Sequence, residues 1–127
     1  MKTVKILTAI VLLVVAFNYS GAQKPQKSAD VKVYYFHSTH RCETCMAVED
    51  VTKEALKQYY GDQVAFKSIN SEEDKDNPLI KKLQVSGQTL LVLKGDKSED
   101  LTNFAFMNAR TNPDKLKAKI KETIEKM

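Results

Sequence analysis

The chain has 127 residues, 20 Lys+Arg against 16 Asp+Glu, no tryptophan and two cysteines. Its lysines are scattered among acids with no aromatic-basic pattern, which argues against a nucleic-acid surface. This length supports one domain with a modest core and leaves no room for a second.

The N-terminus reads as an export signal. Met1–Lys5 is positive, Ile6–Phe17 is an uncharged and mostly apolar run, and Ser20-Gly21-Ala22 offers small residues to a signal peptidase. Residues 1–22 are therefore expected to be a signal peptide cut after Ala22, and residues 23–30 a polar leader. Removing 22 of 127 residues leaves 105, and losing Lys2 and Lys5 lowers the net charge from +4 to +2. The apolar run is short for a membrane span, which needs about 20 residues. An uncleaved membrane anchor is the minor alternative. No cysteine lies near the cut, so a bacterial lipid anchor is excluded. The expected location is periplasmic or secreted.

Val31–Phe36 reads as the first strand, followed by the loop His37-Ser38-Thr39-His40-Arg41. A helix is expected from Cys42 to Tyr60. Met46, Val48, Val51, Ala55, Leu56 and Tyr59 recur at helical spacing, with Glu49, Asp50, Lys53, Glu54 and Lys57 interleaved. Gly61-Asp62 ends it. Val64–Asn70 alternates as a second strand, parallel to the first across a strand-helix-strand unit. Ser71–Asp76 is a charged loop, read as solvated. Asn77-Pro78 caps a short helix, Leu79–Leu83. Thr89–Leu93 is the most apolar strand and suits a sheet centre. Lys94–Lys97 turns the chain, and Leu101–Phe106 is expected to return as an antiparallel strand. Asn112-Pro113-Asp114 starts a last helix with Leu116, Ile120 and Ile124 on its apolar stripe. The expected order is β-α-β-α-β-β-α.

Both cysteines lie in Cys42-Glu43-Thr44-Cys45, where the first strand meets the first helix. Free backbone N–H groups and the helix dipole at that end favour thiolate over thiol. A thiolate is both a nucleophile and a soft metal ligand. A purely structural disulfide is the bland alternative, but so small a ring removes little unfolded-chain entropy. Outside the cytosol the pair would be oxidised unless something reduces it. Arg41 favours thiolate by its charge, Glu43 opposes it, and His40 stands beside Arg41.

This order of elements, with the dithiol at the first strand-helix junction, resembles the minimal thioredoxin fold over roughly residues 30 to 127. The resemblance implies an α/β domain of three layers with a central mixed four-stranded sheet. It also implies that Cys42 is the nucleophile and Cys45 the resolver of a thiol-disulfide oxidoreductase that needs no cofactor. The chain departs from thioredoxins at three places. Gln88 stands where they carry a cis-proline, and a non-proline cis bond costs about 2.5–4 kcal/mol, so a trans bond is expected there. Phe36 stands where they bury an aspartate. Their flanking tryptophans are absent, and His40-Arg41 directly precedes Cys42.

A narrower resemblance rests on Tyr34–Cys45 taken with Val85-Ser86-Gly87-Gln88-Thr89-Leu90. It is to an exported thioredoxin-like family, the ArsF-type nitrophenyl-compound nitroreductase subunits, found beside a membrane permease. Nitroreduction by this chain alone is not expected, since it has no phosphate-cradling glycine motif and no room for a flavin domain. The partner implied is a protein disulfide or dithiol, including a membrane redox protein or permease, and the expected state is a monomer. The competing expectation is binding without catalysis, with the dithiol holding zinc, copper(I) or trivalent arsenic. His37, His40, Cys42 and Cys45 are the four candidate ligands of that reading. A third reading is an adaptor for a membrane permease with an incidental disulfide.

Overall fold

The computed structural model describes residues 30–127. The export-signal and leader expectations for residues 1–29 lie outside the described residues. Alternating apolar residues build β1 (Val31–His37), whose Val31, Val33 and Tyr35 face one side and Tyr34 and Phe36 the other. The chain then enters α1 (Glu43–Tyr60) and returns as β2 (Ala65–Asn70), parallel to β1 with Val33 opposite Phe66 and His37 opposite Asn70. Asn77 accepts from the Leu79 N–H at 3.0 Å and Pro78 occupies the first position of α2 (Pro78–Lys82). β3 (Thr89–Lys94) runs antiparallel to β1, and β4 (Lys97–Asp100) antiparallel to β3. The sheet order β2-β1-β3-β4 puts the two most apolar strands at its centre.

The sequence expectation fails after β4. Leu101–Phe106 is not a strand. Thr102–Asn108 forms a helix, α3, and the antiparallel strand is the polar Lys97–Asp100 immediately before it. Leu91–Lys94 and Lys97–Asp100 flank a two-residue turn, Gly95-Asp96, with Gly95 at φ +58°. Two residues suffice to close a hairpin, so the return strand begins at once. Its four residues are all exposed, as suits a sheet edge. Phe104 and Phe106 mimic strand alternation, but Leu101, Ala105 and Ala109 are the buried residues, and they recur at helical spacing. The chain ends with α4 (Pro113–Lys126), capped by Asn112, which accepts from the Lys115 N–H at 3.3 Å.

α1, α3 and α4 cover one face of the sheet. There Val48, Ala55, Leu116 and Ile120 meet Val31, Val33, Tyr35, Leu90 and Val92. A thinner layer around α2 covers the other face, with Leu79, Ile80, Leu83 and Val85 against Phe36, Ile69 and Leu91. None of the helices among the described residues is long and apolar enough to cross a membrane.

Candidate active site

The dithiol sits where β1 hands over to α1. Cys42 is the N-cap of α1, in extended conformation, and its Sγ accepts the Cys45 backbone N–H at 3.1 Å. Its carbonyl accepts the Met46 N–H at 3.0 Å. One sulfur therefore lies on the free N–H end of the helix, as the sequence leads one to expect. The two cysteines are joined, with Cα atoms 5.0 Å apart. They are unequal in access: Cys42 is exposed, whereas Cys45 is 1% exposed. Helical geometry causes this, because the N-cap residue stands outside the first turn while Cys45 begins the buried stripe.

That stripe differs from the expected one. Met46 lies outside it at 44% exposure, and Glu49 belongs to it at 6%. Glu49 follows Cys45 by four residues and so lies one turn along the same buried face. Its carboxylate receives Arg41 Nη2, Lys53 Nζ and, at 3.1 Å, the Ser68 hydroxyl of β2. Burial pushes the Glu49 carboxyl up. The hydrogen bonds from Lys53 and Arg41, the Arg41 charge and the Ser68 hydroxyl outweigh that and hold it below the ordinary carboxylate range.

Arg41 is thus paired rather than free. Its guanidinium lies 5.9 Å from the centre of the Tyr35 ring, and its Nε is buried without an acceptor among the described residues. Tyr35 is fully buried and donates its hydroxyl to the Cys45 carbonyl at 3.0 Å. Burial raises this phenol to about 12, against the lowering effects of Arg41. Phe36, where a buried aspartate would have been expected in thioredoxins, points into the core layer under α2. The buried carboxylate near this dithiol comes from the helix, not the strand.

Glu43 is also paired, to Arg110 just beyond α3 at 3.0 Å across an exposed surface. The loop before Cys42 is held from the far side. Glu72 accepts the Thr39 N–H at 2.9 Å and Asn70 Nδ2 donates to the Thr39 hydroxyl at 3.1 Å. The Thr39 N–H, its hydroxyl and the nearby charges of Lys75 and His40 keep the Glu72 carboxyl below its ordinary range. Sequence reasoning missed Glu49, Tyr35, Glu72 and Arg110. The only signal for Glu49 was its i+4 spacing from Cys45.

Gln88 lies beside the end of β1, since Thr89 pairs with Phe36. Gly87 turns the chain there at φ +73°, and the described residues contain no cis peptide bond. Gln88 Oε1 is buried without a donor among the described residues. The four candidate metal ligands are not gathered. His37 turns its Nδ1 to the Ser38 carbonyl at 2.9 Å, His40 is exposed, and the described residues hold no cluster of three or more potential ligands.

Solved structures share this architecture. Human ERp44 aligns at a TM-score of 0.53 and 16% identity, covering 77% of this chain and 29% of that one. The oxidised mitochondrial thioredoxin 3 of Saccharomyces cerevisiae aligns at 0.51 and 22% identity, covering 76% and 81%. The fold is thioredoxin-like. A third structure, Trxlp of Edwardsiella tarda, aligns at 0.50 and 16% identity, covering 73% and 84%. No family model and no curated relative matches the sequence. The thioredoxin-like fold places the pair at its strand-helix junction, with Cys42 exposed and Cys45 buried. This arrangement suits exchange with an outside disulfide.

Proposed function

We propose that the protein is a thiol-disulfide oxidoreductase in which Cys42 exchanges with the partner and Cys45 resolves. The observation that carries this is the difference in access between the exposed Cys42 and the buried Cys45. In the reducing direction the Cys42 thiolate attacks one sulfur of a partner disulfide. The S–S bond breaks, the other partner sulfur leaves as a thiolate, and a mixed disulfide forms. Cys45 then gives up its proton and attacks Cys42 Sγ. The second partner thiolate departs, the Cys42–Cys45 bond closes, and two electrons have passed to the partner. The reverse sequence oxidises a partner dithiol.

Two variants test the assignment. Cys42→Ser is expected to abolish turnover of a protein or small-molecule disulfide. Cys45→Ser is expected to accumulate a mixed disulfide on Cys42, visible by mass. Equal trapping through either cysteine would sink the assignment of roles.

The reading extends to location and setting. The signal-like residues 1–22 support work in an exported compartment, with a membrane redox protein or permease as electron partner. The ArsF-type resemblance of Tyr34–Cys45 and Val85–Leu90 supports the same setting. N-terminal sequencing of the exported protein tests it: a start at Gln23 is expected, and a retained Met1 would oppose it.

A further inference from the structure

Around the dithiol the charged and titratable groups are His40 and Arg41 in the loop, Glu72 against that loop, Glu43, Glu49 and Lys53 on α1, Tyr35 and His37 on β1, and Arg110 beyond α3. Glu43 and Arg110 face each other in solvent, where screening leaves them little influence. Glu49 is different. It is buried, it shares a helix face with Cys45, and it binds the residue that precedes Cys42.

We propose that Glu49 is a positioning residue for the dithiol: it holds the Arg41 guanidinium against Tyr35 and cancels its charge, and so sets how much of Cys42 is thiolate and where the Cys42–Cys45 couple lies against a glutathione pool. Three contacts make the unit. Glu49 fixes Arg41 from one side. Tyr35 lies against Arg41 and, through its hydroxyl, against the Cys45 carbonyl at 3.0 Å. Ser68 of β2, at 3.1 Å, fixes the carboxylate itself. A buried charge acts on its neighbours through a lower dielectric than a surface one does. Glu49 and Arg41 therefore pull the Cys42 thiolate in opposite directions, and pairing them leaves only a small net field.

The inference rests on the reading of Cys42 as the exchanging thiol, and the test separates the two. Wild type, E49Q, R41Q and the double variant R41Q/E49Q are equilibrated in glutathione buffers of graded ratio. Each reduced protein is also titrated by its ultraviolet thiolate absorbance and its alkylation rate. E49Q removes a negative charge and leaves both Arg41 and the more exposed Lys53 without their carboxylate. Its thiolate fraction at fixed pH is expected to rise roughly threefold to tenfold, and its glutathione equilibrium to move toward the reduced protein. R41Q is expected to shift both readouts the other way, and the double variant to return within about twofold of wild type.

A purely structural Glu49 would lower stability without this reversal of sign. Shifts in the same direction for E49Q and R41Q, or no shift in either, overturn the proposal. If E49Q does not fold, R41Q decides alone: a thiolate fraction that rises or stays fixed overturns it. A wild-type protein that does not equilibrate with glutathione at all overturns the exchange reading itself, and with it this one.

Discussion

Cys42 and Cys45 differ in access because one caps the helix and the other starts its buried stripe, and the proposed division into attacking and resolving thiols rests on that single turn. Glu49 has a carboxyl held below its ordinary value, so its contribution to stability is present above the unfolded-state value and lost as pH falls through the folded one. Wild type is therefore expected to be more stable than Glu49→Gln near neutral pH, and the gap to shrink from about pH 4.5 downward. Urea unfolding at a series of pH values measures it, and a gap that stays constant into the acid range would count against the pairing. Tyr35 contributes a buried hydroxyl. Tyr35→Phe keeps the ring and loses one hydrogen bond to the Cys45 carbonyl, so a loss of about 1 kcal/mol is expected by denaturant unfolding.

Among the elements, α3 has its first residue hydrogen-bonded directly to the sheet. The Thr102 hydroxyl accepts the Leu90 N–H at 2.9 Å and donates to Asp100 Oδ1 at 2.5 Å, and Asp100 also accepts the Thr102 N–H. Thr102 thus ties the start of α3 to the central strand β3. Thr102→Val preserves shape but leaves the Leu90 N–H without its acceptor. A cost of about 1–3 kcal/mol is expected, together with faster hydrogen exchange at Leu90. Unchanged exchange there would show that another group takes over. Most other elements were legible from the sequence because their signals are local. Asn77-Pro78 and Asn112-Pro113 marked helix starts, Gly61 marked a helix end, and the alternation in Val31–Phe36 marked a strand. Leu101–Phe106 misled because Phe104 and Phe106 alternate like a strand, while the helical run that matters continues to Ala109.

At the scale of the whole molecule, the fold rests on the sheet and the helices packed upon it. Val31, Val33, Leu90, Val92, Leu116 and Ile120 are all fully buried. The disulfide closes a ring between residues only three apart in sequence, so it restrains the unfolded chain by roughly 2 kcal/mol at most. Reduction is therefore expected to leave the protein folded and to lower its Tm by about 10 °C at most. Thermal unfolding with and without reductant measures this. Collapse on reduction would mean that the bond is structural and that the redox reading is wrong.

The sequence alone determined the order of the first five elements, the parallel pairing of β1 with β2, the central place of β3, and the dithiol at the strand-helix junction. Apolar periodicity, caps and turn residues act within a few positions, so they can be read along the chain. Only the tertiary structure decided that Glu49 is buried, that Arg41 is neutralised by it, and that Arg110 meets Glu43. It also decided that Tyr35 reaches the Cys45 carbonyl. Each of those outcomes depends on a partner brought close by packing rather than by sequence. A charged residue at a helical position looks the same on paper whether it faces water or a buried guanidinium.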